Sequence, residues 1–219
     1  MDTLAVLLTP AAQGGISVVL LAGARSIDIL AGLFRRPSGA RLDLGRAAPG
    51  RLLYGFLVDG GETIDEVVLC RAPAGPGPSP AFEINCHGGA LPARRVLGAL
   101  AARGAVEVAW PEFVREAGRA GAFDRVQAEA AAALPGALTG AAARMLIAQY
   151  GGALSRDVRG ALEQCGDAAA VRGVLERLLA TARYGTRLVR PARVAVAGRP
   201  NVGKSSLMNA LLRHDRVIV

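Results

Sequence analysis

An eight-residue motif near the carboxyl end of this 219-residue chain constrains its fold more than any other feature. Residues 198–205 read GRPNVGKS, which matches the pattern G-x-x-x-x-G-K-[ST] without a gap. An apolar run precedes the motif at residues 194–197, and residues 205–212 have helical composition. The sequence therefore predicts a strand at 194–197, a phosphate-binding loop, and a helix whose N-terminus favours an anion.

Three residues of this loop have separate chemical roles in binding a phosphate. Gly203 lets the backbone N–H groups turn toward one point, Lys204 reaches phosphate oxygens as a compact charge, and the Ser205 hydroxyl can hold Mg²⁺. Lys204 is the single lysine among 26 basic residues, so it stands where a guanidinium would not serve. The alternative is a glycine-rich turn without a ligand. Only 15 residues follow Lys204, so we expect no GTP turnover by this chain alone, and the loop itself does not separate GTP from ATP.

Composition excludes several classes of protein. With 52% apolar and 20% charged residues, the chain can bury a core and is not globally disordered. Three irregularly spaced cysteines give neither a disulfide framework nor a metal pattern, which indicates a reducing cytoplasm. The net charge of +8 consists almost entirely of arginine, and such a bias is more typical of codon usage than of a nucleic-acid surface. A basic RNA-binding module therefore ranks last among the functional readings.

The uncharged residues 3–24 do not predict a membrane segment. Pro10, Gly14 and Gly15 interrupt them, and the pattern favours two short strands at 4–8 and 16–21. Asp2 stands where a signal peptide would carry positive charge. We expect a cytoplasmic protein without a membrane partner.

The pattern of apolar residues divides the chain into three sections. The first mixes predicted strands (4–8, 16–21, 51–57, 66–71, 82–86 and 106–109) with predicted helices at 25–34 and 90–103, and residues 73–80 form a proline-rich loop. The second, residues 124–184, is rich in Ala and Leu and predicts two to four packed helices. The third contains the phosphate loop and ends on residues 217–219, which resemble the start of another strand.

A second motif lies where a predicted strand meets a glycine pair. Cys86 and His87 are adjacent, so on a strand they point to opposite faces and make a poor catalytic dyad. We interpret His87 as a structural hydrogen-bonding residue. Glu83 is the better functional candidate, because its carboxylate could accept from the ring N–H donors of a heterocycle. The alternative for Glu83 is a solvated strand carboxylate.

Four patches have a recognisable order and spacing. They are QGGI at residues 13–16, EINCHGG at 83–89, PEF at 111–113 with QAEA at 127–130, and GRPNVGKSSLMN at 198–209. Together they resemble R-G-G-[VI], E-[IL]-x-C-H-G-G, P-G-E-F … Q-A-E-A and G-R-P-N-[VA]-G-K-S-S-L-[LM]-N of the tRNA-modifying GTPases of the MnmE (TrmE) family.

The resemblance implies an architecture and a reaction. It implies an α+β amino-terminal domain of the folate-binding kind at residues 1–120, a helical domain at 121–191, and the first strand, P-loop and helix of a Ras-like α/β G domain at 192–219. Family members form homodimers through the amino-terminal domain. With a flavin- and NADH-dependent partner protein they install an aminomethyl-type group on C5 of the wobble uridine of tRNA, using a folate one-carbon unit and GTP hydrolysis.

The resemblance also assigns site residues. The nucleotide cradle maps onto six consecutive residues, with Ser205 as the Mg²⁺ ligand and Asn201 as the K⁺ ligand: Asn201, Val202, Gly203, Lys204, Ser205 and Ser206. In the 5-formyl-tetrahydrofolate pocket Glu83 is present, but Leu20 and Ala122 stand where the family has an Arg and a Lys. We therefore expect weakened folate binding. The alternative function is a non-catalytic scaffold or dimerisation module that has lost folate binding.

Overall fold

The computed structural model describes residues 2–10, 12, 14–73, 79–190 and 192–212. Within this part of the chain, the strands form one seven-stranded mixed sheet in the order β3-β4-β5-β6-β2-β1-β7. Its strands are β1 (Leu4–Leu7), β2 (Ile16–Ala22), β3 (Phe34–Arg35), β4 (Leu52–Asp59), β5 (Glu62–Arg71), β6 (Ala81–His87) and β7 (Val106–Glu107). β7 pairs with β1 in parallel, and the other pairs are antiparallel.

Helices cover both faces of the sheet. α1 (Ser26–Leu33) and α2 (Ala90–Ala101) pack on one face, where alternate strand residues such as Leu21, Phe82 and Ile84 are fully buried. α3 (Trp110–Arg119) lies on the other face and encloses a smaller apolar cluster that includes Val6 and Phe113. The observed α/β structure with a mixed sheet confirms the predicted combination of strands and helices, while the α+β folate-binding fold of the first domain stays a prediction.

The second section contains four α-helices among the described residues, as the periodicity predicts. They are α4 (Arg125–Ala133), α5 (Gly140–Tyr150), α6 (Ala153–Glu163) and α7 (Ala168–Val189). Asp124 and Gln127 form a capping box at the start of α4, and the Trp110 indole donates to the Ala131 carbonyl at 2.9 Å. The hydrogen bond from Trp110 joins α4 to α3. The predicted domain boundaries at residues 120 and 191 stay predictions.

Several predicted elements differ from the structure. The β4–β5 hairpin continues to a tight turn at Gly60 and Gly61, both with positive φ, so residues 58–59 and 62–65 are also strand. The sequence pattern does not predict α3, and Phe34 begins β3 where a helix end was expected. Residues 74–78 of the predicted loop and the predicted strand start at 217–219 lie outside the described residues.

The prediction of a strand at residues 194–197 is wrong for this structure. Residues 192–198 have no regular secondary structure, and Val194 is 83% exposed. A β-strand needs a neighbouring strand for its backbone hydrogen bonds, and no described segment pairs with these residues. The helix that follows the loop, α8 (Lys204–Leu212), begins within one residue of its predicted start.

No helix in the described ranges is long and apolar enough to cross a lipid bilayer.

Candidate nucleotide-binding site

Two residues with left-handed backbone shape the loop at residues 198–205. Gly203 has φ +86° and Asn201 has φ +56°. Only glycine adopts this conformation freely, and asparagine is among the few other residues that tolerate it. A Cβ at Gly203 would meet no atom within 4 Å, so the backbone conformation, rather than space, requires glycine there. The two residues turn the chain sharply before α8 begins.

The cationic side chain of Lys204 folds back over this turn. Its Nζ donates to the Arg199 carbonyl oxygen at 2.5 Å, and the side chain is half-buried. Because Leu207 N donates to Gly203 O at 2.9 Å, Gly203 caps α8, and the first N–H groups of the helix have no intrahelical acceptor. An ammonium group and free N–H groups at one loop suit a phosphate.

The remaining residues of the predicted cradle flank these groups. Ser205 is half-buried beside Lys204, whereas Asn201, Val202 and Ser206 are exposed. Hydroxyl and amide oxygens are ligands that Mg²⁺ and K⁺ accept, so the residue types fit both predicted roles. In the described part of the chain, no group of three or more His, Cys, Asp and Glu side chains could hold a metal ion.

Gly88 fixes the second motif by close backbone contact. A Cβ at Gly88 would lie 1.9 Å from the Gly14 carbonyl oxygen, and Gly88 N donates to Gly15 O at 3.1 Å. The end of β6 and the turn before β2 therefore touch through backbone atoms, and any side chain at Gly88 would separate them. The resembling patches at 13–16 and 83–89 meet here, although Gln13 lies outside the described residues.

Cys86 is not an available nucleophile. Its side chain is buried, and Sγ donates to the Ser17 carbonyl at 3.4 Å. Burial, with a smaller contribution from the negative charge of Asp65, raises the pKa of the Cys86 thiol to about 11. Since the thiolate is the reactive form, this environment agrees with the expectation that Cys86 and His87 form no catalytic dyad.

His87 is held by a carboxylate that the sequence reading missed. Asp65 Oδ1 lies 2.7 Å from His87 Nδ1, and Asp65 Oδ2 accepts from the His87 backbone N–H at 2.9 Å. The hydrogen bond that Asp65 accepts from the imidazole raises the pKa of His87 above its usual value. Asp65 lies 22 residues before His87, so only the β5–β6 strand pairing could have indicated the contact. His87 thus has the structural hydrogen-bonding role expected for it.

Glu83 and Leu20 are brought together, as directly opposed residues of β6 and β2. The other cross-strand neighbour of Glu83 is Cys70. Leu20 is partly buried and packs against the apolar cluster that contains Val6 and Phe113. The position that the family fills with an arginine thus contributes to a core in this chain. No hydrogen bond or ion pair joins the phosphate loop to Glu83 in the described structure.

Ala122 lies in the turn after α3, where its N–H donates to the Ala117 carbonyl at 3.0 Å. Its methyl group supplies no cation. The structure therefore places Glu83 beside one of the two substituted positions, and neither carries the charge that an anionic glutamyl tail would need.

Two known protein families match this chain, one in its amino-terminal part and one at its carboxyl end. Residues 3–121 match the family described as GTP-binding protein TrmE N-terminus. Residues 193–219, which include the phosphate loop, match the family described as 50S ribosome-binding GTPase.

Curated relatives align with the whole chain. The tRNA modification GTPases MnmE of Moorella thermoacetica, Chloroflexus aurantiacus and Geobacillus kaustophilus are 37%, 38% and 35% identical to it, and all of this chain is covered. The aligned part is 53%, 53% and 54% of those proteins, so the chain spans about half the length of these relatives. The family model covers more than half of this chain, and the relatives align with all of it. These matches show that this chain belongs to the MnmE (TrmE) family.

Proposed function

We propose that this chain is the amino-terminal and phosphate-binding part of a GTP-binding protein that acts in tRNA modification. The observation that carries this proposal is the loop of Asn201, Gly203 and Lys204 at the N-terminus of α8, in a chain whose first 121 residues match the TrmE model. The relatives named tRNA modification GTPase support GTP as the nucleotide and tRNA as the substrate. They favour this function over a scaffold that has lost its chemistry.

In this proposal the chain's own residues bind and orient the triphosphate. The N–H groups at the start of α8 donate to phosphate oxygens, and the Lys204 ammonium exchanges the Arg199 carbonyl for the β- and γ-phosphates. The Ser205 hydroxyl would hold Mg²⁺, and the Asn201 amide oxygen would hold K⁺. Cations at these two residues would supply positive charge beside the phosphates. The reaction at C5 of the wobble uridine, with a flavin- and NADH-dependent partner protein, belongs to the whole family protein.

A nucleotide titration tests this function. We expect a fluorescent GTP analogue to bind the chain saturably, and unlabelled GTP to displace it. Fluorescence anisotropy measures both. A lack of saturable binding, or of displacement by unlabelled GTP, would contradict the assignment of a nucleotide to the phosphate loop.

Folate is not included in this function, because the residues present fit only part of such a ligand. Glu83 can accept hydrogen bonds from a pterin ring. Leu20 and Ala122 offer no charge to the glutamyl tail of a folate, and Leu20 packs against an apolar cluster. Two missing charged contacts, at about 1.5–3 kcal/mol each, leave little binding energy for that end of the ligand.

The homodimer of the proposed function is supported by an uncovered part of the sheet. Leu52 and Tyr54 of β4 lie on the face that carries α3, yet they are 67% and 51% exposed. Exposed apolar residues in a sheet face favour association with another apolar surface. We propose that a second copy of the chain covers this part of the face.

The dimer proposal predicts that L52E yields a monomer in sedimentation equilibrium, because a buried carboxylate would be unpaired at the interface. L91E is the matched control, since Leu91 is 70% exposed but lies on α2, at the opposite face. A monomeric unmodified chain, or equal loss of dimer in both variants, would contradict the assignment of this face.

A further inference from the structure

The net positive charge of the chain lies in its last quarter. Residues 1–167 contain sixteen basic and sixteen acidic side chains. Residues 168–219 contain ten basic and two acidic side chains, so the entire formal charge of +8 lies there. Codon usage explains why the basic residues are arginines, but it does not explain this separation. A strong charge asymmetry within one chain indicates a polyanionic partner.

Helix α7 arranges four of these residues along one side. At 100° per residue, Arg172, Arg183 and Arg187 fall within a sector of about 60°, and Arg190 directly follows the helix in the same direction. We call Arg172, Arg183, Arg187 and Arg190 the arginine stripe. Glu176 is the one acidic residue of α7 and lies in the same sector.

The arginine stripe faces away from the rest of the helical section. The partly buried residues of α7 centre on the opposite side of the helix and include Val174, Leu178 and Leu188. All four arginines of the stripe are exposed. A partner could therefore contact the stripe without displacing any packed helix.

Ion pairing also distinguishes the stripe from several arginines in the rest of the chain. In the neutral part of the chain, Arg103 pairs with Asp59 at 2.8 Å, and Arg159 pairs with Asp124 at 2.7 Å. In the structure described, no arginine of the stripe has an ion pair or a side-chain hydrogen bond. Their guanidinium groups are thus available, and the planar fork of donors matches phosphate oxygens.

We propose that the arginine stripe binds the phosphodiester backbone of RNA. A line of unpaired guanidinium groups complements a chain of phosphates and reads charge and spacing rather than sequence. The stripe extends over about 22 Å from Arg172 to Arg187, enough for several phosphates of one strand. That the RNA is tRNA rests on the proposed function.

The test compares two triple variants that lower the formal charge equally, from +8 to +5. R172Q/R183Q/R187Q removes three of the four arginines of the stripe. R36Q/R41Q/R51Q is the matched control, because these three arginines are exposed and, among the described residues, have no ion pair. A third variant, R172K/R183K/R187K, keeps the charge. Binding of a labelled unmodified tRNA transcript is measured by fluorescence anisotropy between about 50 and 200 mM KCl. Circular dichroism checks that each variant keeps its helices.

We expect the stripe variant to bind tRNA at least about tenfold more weakly, with a slope of log K against log salt that is shallower by about two to three. The control variant should stay within about threefold of the unmodified chain, and the lysine variant should recover most of the loss, because phosphate contacts depend mainly on charge. Equal losses in both glutamine variants, or a chain that binds no tRNA, would overturn the proposal. Stripe-dependent binding to anionic vesicles without stripe-dependent binding to tRNA would overturn it as well.

A nucleotide titration of the same preparations separates this proposal from the proposed function. The stripe variant should bind the fluorescent GTP analogue like the unmodified chain. If the unmodified chain binds no GTP but binds tRNA through the stripe, the proposed function fails and the RNA surface stands.

Discussion

K204A is expected to lower the affinity of the chain for GTP by at least about a hundredfold, which corresponds to about 3 kcal/mol. The variant loses the ammonium group that would contact the β- and γ-phosphates, and each charge-assisted hydrogen bond contributes about 1.5–3 kcal/mol. In the structure Lys204 donates to the Arg199 carbonyl. Because this hydrogen bond breaks when the ammonium group moves to the phosphates, its loss offsets part of the binding energy. Fluorescence anisotropy with a GTP analogue measures the loss.

Two further variants separate the effects of side-chain charge, side-chain shape and loop structure on the affinity for GTP. R199A removes an exposed side chain but keeps the carbonyl that Lys204 contacts, so its affinity should stay within about threefold of the unmodified chain. K204R keeps the charge with a planar, bulkier group and should show an intermediate loss. No residue of α8 is buried, so K204A should not change the unfolding of the sheet. An affinity of K204A equal to that of the unmodified chain would exclude the loop from nucleotide binding.

G88A is expected to destabilise the chain by about 3 kcal/mol, near the upper end of the usual range for overpacking. The new Cβ would lie 1.9 Å from the Gly14 carbonyl oxygen, and both partners are backbone, so no side chain can rotate away. The turn at residues 14–15 would have to separate from β6, which would break the hydrogen bond from Gly88 N to Gly15 O. The midpoint of urea unfolding measures the change.

G98A is the matched control for this variant. Gly98 is exposed within α2, and a Cβ there would meet no atom within 4 Å. Alanine is a better helix former than glycine, so G98A should stabilise the chain by about 0.5–1 kcal/mol. Opposite changes in the stability of G88A and G98A would show that the contact at Gly88, rather than loss of glycine in general, determines the result. Equal midpoints for G88A and the unmodified chain would contradict the close approach.

Local patterns predicted the elements whose sequence signal lies in neighbouring residues. The alternation of apolar residues located β2 and β6, and the glycine pattern with a single lysine located the phosphate loop and the start of α8. These signals are local because side-chain alternation and left-handed turns depend on neighbouring residues. The family resemblance, rather than a local pattern, assigned Glu83 and Leu20 to one pocket, and the strands place them opposite each other.

Features that depend on distant partners were not predictable in this way. The apolar residues 194–197 have strand composition, but composition does not supply a neighbouring strand, and the described structure has none there. The contact of Asp65 with His87 depends on the pairing of β5 with β6. α3 was missed because residues 106–109 seemed to continue as a strand, although Pro111 lies in the first turn, where helices accept proline.

The absence of buried side chains in α7 and α8 has a consequence for how the molecule fluctuates. A helix that buries little can open without disturbing the sheet core, so its amides should exchange with solvent through small local openings rather than through global unfolding. Any polyanion held along α7 would slow exchange in that helix and leave the rate in β2 and β6 unchanged. The sheet and the basic end of the chain would thus behave as separate cooperative units, each with its own opening equilibrium.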